Sequence, residues 1–435
     1  MKILNTRDVS IEEILKRIQA ERSRKDSGDT VDRTREIMEK VKEFGDKALI
    51  DFVKTFDGAA ISSVCVSPSE IDEARRGIDK KLFKALEEAK KNIEKFHKKT
   101  LTKKEKAVET EKGVFVWREF RPVERVGLYV PGGKAAYPST VLMLSIPAKI
   151  AGCKEIVLCT PAGKDGQCSS VVLAAASLCG ITKIYKVGGA AAIAAMAYGT
   201  KSIPKVSKIF GPGNSYVTTA KMLAFGDINI DMPAGPSEVL VMADESATAS
   251  WVAADLLSQL EHGEDSQAVF VTFSEAIAEK VMNEMKRQMQ SFSRINLVKK
   301  SFEKSFAVVV KTAEEACILM NEYAPEHLEL SVKNPEKFLK KINNAGSIFV
   351  GHYTNEPLGD YATGANHTLP TAGYAKMFGA LSTESFGKMI QIQKVTREGI
   401  RRLRSTVTTL AESEGLEAHK NAVEIRFLRT NGRMN

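Results

Sequence analysis

From Arg125 onward, short runs of β-branched and aliphatic residues alternate with alanine-rich or amphipathic stretches. This alternation constrains the fold more than any other feature of the chain. Val126–Val130, Ile156–Thr160, Ile184–Val187, Lys208–Phe210 and Ile228–Asp231 read as strands. Between them, Ser139–Ala151, Ser169–Cys179, Ala190–Tyr198 and Tyr216–Phe225 read as helices. Strands separated by helices imply a parallel sheet with helices on its faces. A second series follows at Val239–Ala243, Ala268–Thr272, Phe306–Val310 and Ser347–Val350, again separated by helices. A chain of 435 residues exceeds the usual range of a single core, so two α/β domains are expected. Roughly the first 120 residues read as mostly helical, with amphipathic stretches at Thr34–Thr55 and Lys80–Lys99. The tail from Ser382 to Glu414 also reads as helical, and ends in a short alternating stretch, Val423–Leu428.

Composition excludes several function classes. An apolar fraction of 43% and a charged fraction of 27% suit an ordinary globular protein. No apolar run reaches the ~18 residues of a membrane span. The start, MKILNTRDVSIEEILKRIQAERSRKD, lacks the apolar core of a signal peptide, so a cytoplasmic location is expected. Cys65, Cys153, Cys159, Cys168, Cys179 and Cys317 form no CxxC pair and read as reduced thiols. The net charge of +9 comes largely from Lys80–Lys106, where lysines alternate with Glu87, Glu88, Glu94 and Glu105. Leu82, Leu86, Ala89, Ile93 and Phe96 form one apolar helix face, leaving the lysines on the solvated side. No nucleic-acid partner is therefore expected, and His97 on the same helix reads as a surface residue.

In parallel sheets, function collects at loops following the carboxyl ends of strands. Here those loops carry Pro131-Gly132-Gly133, Pro161, Gly188-Gly189 and Gly211-Pro212-Gly213-Asn214. Four in succession suggest a backbone surface approached by a ligand, with helix N-termini aimed at a phosphate. No GxGxxG fingerprint accompanies them, so spacing alone leaves the cofactor unidentified. The histidines carry the remaining chemistry. Gln259 and His262, three apart at the end of a helical stretch, can reach a common point. His327 follows Glu326, His352 and Asp360 flank a weakly apolar loop, His367 follows Asn366, and His419 sits near Glu414. His262, His419 and Asp360 are donors suited to a divalent metal such as zinc, although their spacing does not prove a site. Glu326 and His327 suit a general acid/base pair. Read alone, these residues stop at a two-domain α/β enzyme, with metal dependence left open.

Longer segments then resemble a known family. VGLYVPGGKAAYPSTVLMLSIPAKIAGC (126–153), KIFGPGNSYV (208–217), DMPAGPSEVLV (231–241) and DLLSQLEHGEDSQ (255–267) are similar to histidinol dehydrogenases. So are NEYAPEHLEL (321–330), AGSIFVGHYTNEPLGDYATGANHTLPT (345–371) and LEAHKNAVEIR (416–426). The likeness runs from the GDKAL segment at Gly45 to the tail.

This resemblance implies an α/β fold of two Rossmann-like domains with parallel-sheet cores, lacking GxGxxG, plus small helical N- and C-terminal extensions. Residues 1–20 would be the first extension. Residues 21–108 with 239–377 would form the domain carrying most of the metal and substrate site. Residues 109–238 would form the cofactor side, and 378–435 a tail completing the site of a partner. Gln259, His262, Asp360 and His419 stand at the family's zinc-ligand positions, implying one Zn2+ per subunit. Ser237, His327, His367 and Glu414 stand where the family contacts substrate, a role its zinc ligands share, and Glu326 completes the acid/base pair with His327. Tyr129 and Asn214 match positions that touch NAD. Ala191 departs from the pattern, because the family normally carries a glutamine there that contacts NAD. The implied reaction is the zinc-dependent, NAD-linked oxidation of L-histidinol to L-histidine through the aldehyde, the final step of histidine biosynthesis, in a homodimer with shared sites. The alternative is a paralogous zinc/NAD dehydrogenase acting on another small alcohol, such as a sulfonated diol.

Overall fold

The computed structural model describes residues 1–22, 28–101, 104–132 and 136–428. Gly133, one of the loop glycines singled out above, lies outside them. The chain divides into two compact units, one formed by Met1–Thr100 with Val123–Phe386 and the other by Leu101–Pro122 with Gly387–Asn435.

The first unit holds two parallel sheets. One has the strand order Lys183–Lys186, Glu155–Thr160, Arg125–Tyr129, Lys208–Phe210, Asn229–Ile230, with every pair parallel. Counted along the chain this order is 3-2-1-4-5. Chain direction across the sheet therefore reverses between Arg125–Tyr129 and Lys208–Phe210, which opens a crevice beyond their carboxyl ends. The other sheet runs Lys2–Asn5, Phe306–Val309, Gln267–Thr272, Glu238–Ala243, His327–Ser331, Ser347–Val350. After its edge strand Lys2–Asn5 it repeats the 3-2-1-4-5 order. Val239, Val241, Phe270 and Ala307 face one buried cluster, while Leu240, Val269, Val308 and Leu328 face another. Alternate residues of each strand thus enter opposite cores, as a sheet covered on both faces requires.

Two strands of this unit escaped the sequence reading. His327–Ser331 is an interior strand of the second sheet, next to its edge, yet its sequence HLELS breaks the apolar run with Glu329, which is buried there. Lys2–Asn5 is too short to show periodicity and gains its structure by pairing with Phe306–Val309. The expected helical extension therefore begins with a strand; the helix Ile11–Arg22 follows and buries Ile14, Leu15 and Ile18.

His97 also differs from expectation. It is 0% exposed, because Ile93 and His97 continue the apolar stripe one further turn, whereas Phe96 turns outward at 47% exposure. Its Nδ1 meets Thr383 Oγ1 at 3.3 Å, and burial drives its pKa down to about 4.

Both sheets fall in the first unit. The segments joining them interlock: Asn366 Nδ2 donates to the Met143 carbonyl at 2.7 Å, and His367 Nε2 lies 3.2 Å from Thr140 Oγ1. The second unit is a three-stranded antiparallel sheet, Gly387–Val395, Val114–Pro122 and Val108–Glu111, followed by helices Arg397–Ser413 and Glu417–Glu424. The supposedly helical segments before Arg125 and after Ser382 thus each contain strands. In Lys388–Val395 the alternation of Ile390 and Ile392 with Gln391 and Gln393 is a strand period. Val423–Leu428, expected as an alternating stretch, instead completes the last helix and a short 3-10 turn, Ile425–Phe427. Among the described residues no helix is long and apolar enough to cross a membrane.

Candidate active site

His262, Glu356 and Asp360 each offer a donor atom, and these atoms all lie within 4.8 Å of one another. The helix Ala249–Leu260 ends just before His262, whose backbone N–H turns back to the Gln259 carbonyl at 3.4 Å. Gln259 and His262 therefore share the last turn and the loop beyond it, rather than one continuous helix face. Glu356 and Asp360 belong to the short helix Glu356–Tyr361, whose N-cap Asn355 accepts from Leu358 N at 3.2 Å. Four-residue spacing puts both carboxylates on one side. Glu356 is 2% exposed and held at both ends: Ser258 Oγ donates to its Oε2 at 2.9 Å, and its own N–H donates to Glu329 Oε1 at 2.8 Å. Its other oxygen faces His262 Nε2 at 3.9 Å. Burial disfavours the charged form of His262, but Glu356 and Asp360 outweigh it and raise its pKa.

The residue set fits a divalent cation. Gln259 is 1% exposed, and its Oε1 is buried without a hydrogen-bond partner among the described residues. A buried amide oxygen in that state costs about 1–3 kcal/mol. One imidazole, two carboxylates and one amide oxygen are the borderline and hard donors that zinc or a similar ion accepts.

Glu326 and His327 stand beside this cluster. His327 opens the strand His327–Ser331, and Asp360 Oδ1 is 3.7 Å from its Nε2. Its Nδ1 lies 3.1 Å from the Glu238 carbonyl oxygen. A carbonyl only accepts, so Nδ1 carries the proton and Nε2 faces the site; among the described residues Nε2 has no hydrogen-bond partner. Glu326 Oε2 accepts from the Glu238 N–H at 2.9 Å and lies 3.6 Å from His327 Nδ1. Burial pushes the Glu326 carboxyl up to about 8, against the pull of His327. Burial would lower His327, yet Glu326 and Asp360 overcome it and raise the imidazole to about 10. Asp360 is held below the usual carboxylate range despite burial, by His327 and His367. His367 Nδ1 faces the Asp360 carbonyl at 3.1 Å, and burial lowers its pKa.

A cleft of about 1040 Å³ lies at the carboxyl ends of the five-stranded sheet. Tyr129, Ala191 and Asn214 all line it, with Gly132, Pro161 and Gly188. The Tyr129 hydroxyl accepts from the Gly189 N–H at 3.1 Å, and burial pushes the phenol up to about 12. Asn214 caps the helix Ser215–Ala224 through its Oδ1, 3.1 Å from Val217 N. The cleft needs glycine where the backbone crowds. A Cβ on Gly188 would sit 2.7 Å from Pro161 Cβ, and one on Gly211, at φ 124°, 2.1 Å from the Tyr129 carbonyl oxygen. Arg33, Lys40 and Lys47 stand along one wall among Glu36, Asp51 and Asp57, and burial pushes Asp57 up to about 6.

Comparison with known proteins decides the family. The histidinol dehydrogenase family profile matches residues 20–427. The chain is 50% identical to a histidinol dehydrogenase of Bacteroides fragilis over 397 residues, 91% of this chain and 92% of that one. It is 46% identical to that of Listeria monocytogenes over 429 residues, 98% and 99% of the two chains. The crystal structure of histidinol dehydrogenase from Elizabethkingia anophelis superposes with a TM-score of 0.94 at 44% identity, covering 98% of each chain. This chain belongs to the histidinol dehydrogenase family. It is an oxidoreductase.

The residues expected from the family pattern divide between the two units. His262, Glu326, His327, Asp360 and His367 gather at one place in the first unit, and Gln259 lies in the last turn of the helix that ends just before His262. Ser237 immediately precedes Glu238 at the start of its strand, and its carbonyl accepts from Gln267 N at 3.1 Å. Glu414 and His419 belong to the second unit, where both are exposed. Sequence reasoning missed Glu356 and Glu238. The first had a legible signal in its spacing from Asp360, obscured because the segment was taken for a loop. The second had none, since its contribution to the pair is made by main-chain atoms. The Glu326–His327 pair also breaks the expected rule of location: Glu238 and His327 are the first residues of their strands, so the pair sits at the amino edge of its sheet.

Proposed function

We propose that this chain oxidises L-histidinol to L-histidine in two successive NAD-linked steps at a zinc-holding site. The observation that carries the reading is the His262–Glu356–Asp360 cluster directly beside the Glu326–His327 pair, in a member of this family. Gln259, His262 and Asp360 would hold the ion, with His419 supplied by a second copy of the chain. When bound, zinc would fix the substrate's amine and imidazole nitrogens, and NAD in the cleft lined by Tyr129, Ala191 and Asn214 would accept hydride.

The protein's own groups supply the proton chemistry. His327 Nε2 takes the hydroxyl proton in the first oxidation, and is free to do so once Asp360 is neutralised by the cation it would hold. The Glu238 carbonyl keeps the opposite ring nitrogen protonated throughout. Glu326, in its ionised form and made more basic by burial, takes a proton from water as that water adds to the aldehyde, while His327 returns its proton to the carbonyl oxygen to give the hydrate. His327, neutral again, accepts the hydrate's hydroxyl proton in the second oxidation, which leaves the carboxylic acid, ionised at neutral pH. Retaining the aldehyde between steps keeps a reactive intermediate from solution. His367, Ser237 and Glu414 would orient the substrate, Glu414 at its imidazole end and from the second copy. A cytoplasmic homodimer is part of this reading.

The test is NADH formation from limiting L-histidinol with excess NAD, zinc being supplied or chelated. Two NADH per histidinol, lost on chelation and restored by zinc, is the expected result. A folded, zinc-loaded protein giving no NADH would sink the reading and turn attention to a paralogous dehydrogenase of another small alcohol, such as a sulfonated diol.

A further inference from the structure

Both side chains of the acid/base pair lean on the main chain of a single residue. The Glu238 N–H donates to Glu326 Oε2 at 2.9 Å, and the Glu238 carbonyl receives His327 Nδ1 at 3.1 Å. Wherever the backbone of Glu238 goes, both reacting groups follow. What holds Glu238 is Arg22, the last residue of the helix Ile11–Arg22. Arg22 Nε donates to Glu238 Oε1 at 2.5 Å, and Nη2 donates to Oε2, a two-pronged pair with both side chains almost wholly buried. The Ala372 N–H donates to Glu238 Oε1 as well, at 3.1 Å.

The same guanidinium reaches the other side of the pair. Arg22 Nη1 donates to the Tyr323 carbonyl at 2.6 Å and Nη2 to the Ala324 carbonyl at 3.4 Å, while its plane stacks 4.0 Å from the Tyr323 ring centroid. These carbonyls end the helix Ala313–Tyr323, and Ala324 turns the chain at φ 48° into Pro325, Glu326 and His327. One planar cation therefore spans the start of the Glu238–Ala243 strand and the turn into the His327–Ser331 strand. A lysine, with a single point of charge, could not make this set of bonds.

We infer that Arg22 is a positioning residue for the Glu326–His327 pair, fixing the strand start and the turn that hold the two reacting side chains. The inference rests on the proposed reading that this pair performs the proton transfers. Arg22 touches neither group; it acts through Glu238 and the Tyr323–Ala324 turn. Misplacing a reacting group by about 1 Å lowers turnover on the order of a hundredfold.

The experiment uses the full-length, zinc-loaded protein with L-histidinol and NAD. Arg22→Gln should lower kcat by at least about tenfold while KM for each substrate and bound zinc change by less than about threefold. Arg22→Lys, which keeps the charge and loses the fork, should fall between. Because Arg22→Gln strands a buried carboxylate, the neutral pair R22Q/E238Q carries the same test without an unpaired charge. The decisive readout is a double-mutant cycle. In a Glu326→Gln/His327→Asn background, adding Arg22→Gln should change the residual kcat by less than about twofold, since both groups it positions are gone. An equal loss of kcat in both backgrounds, or unaltered kcat in Arg22→Gln and in the neutral pair, overturns the inference. Full turnover by His327→Asn alone would instead overturn the reading on which it rests.

Discussion

At the scale of the residue, the site is defined by buried polar atoms with an unmet need. Among the described residues, Gln259 Oε1 and His327 Nε2 are both buried without hydrogen-bond partners, His327 beside Asp360 and Gln259 at the helix end that leads into His262. Glu356 supports His262 and Asp360 through its free oxygen while Ser258 and Glu329 fix its other groups. Glu356→Gln should therefore weaken zinc binding by roughly 10–100-fold, measured by competition with a chelator, with NAD affinity unchanged. A loss confined to turnover, with zinc retained, would place Glu356 in the chemistry instead. Ala191 offers a test in the opposite direction. It lines the cleft near the Gly188–Gly189 turn, where the resemblance described above implies a glutamine. One neutral hydrogen bond contributes about 0.5–1.5 kcal/mol, so Ala191→Gln should tighten NAD binding up to about tenfold. Calorimetric titration with NAD would show this, and no change would mean that the cleft already satisfies the nucleotide by other groups.

At the scale of the element, helices and strands bring such residues into place by burying one face. The lysine-rich helix Lys80–Thr100 keeps Leu86, Ile93 and His97 inside and its cations in solvent. His97 is neutral there, with a pKa near 4 against 6.5 in the unfolded chain. Between those values the unfolded chain binds a proton that the native chain does not, so stability falls as the pH drops through this window. The full effect is about 3 kcal/mol. Urea unfolding at pH 7, 5.5 and 4.5 should show a shallower fall in His97→Gln than in the parent. Parallel slopes would mean that His97 titrates normally in the fold. The helix Glu356–Tyr361 makes the same point for function, because a four-residue offset becomes a shared face only once Asn355 has capped it. Its legibility was lost when low apolarity alone marked the segment as a loop.

At the scale of the whole molecule, two sheets share the same 3-2-1-4-5 order. The five-stranded sheet offers the expected crevice at its carboxyl edge, while the six-stranded one carries Glu326 and His327 at its amino edge. Glu414 and His419 stand on the other compact unit, with the antiparallel strands. If a second copy supplies them, subunits bearing His327→Asn and subunits bearing His419→Asn should complement each other. Random reassociation of two inactive homodimers would then restore about a quarter of the parent activity, because each mixed dimer keeps one intact site. Mixtures as inactive as their parents, with mixed dimers demonstrated by mass, would confine each site to one chain.

Much of the scaffold and most donor types were legible in the amino-acid order, because periodicity reports what each element buries by itself. The strand–helix alternation, the glycine and proline loops around the cleft, and the Gln259–His262 and Glu326–His327 pairs are all local patterns of this kind. Tertiary structure alone decided what spans the chain. Parallel register sets His327 opposite Val239 and Ser347, and thereby places Glu238's main chain against both members of the pair. It buried Glu329 within an interior strand, turned His97 inward, and brought Arg22 to Glu238 across nearly half the sequence. Those contacts follow from which strands lie side by side, and sheet order is a property of the packed whole rather than of any segment.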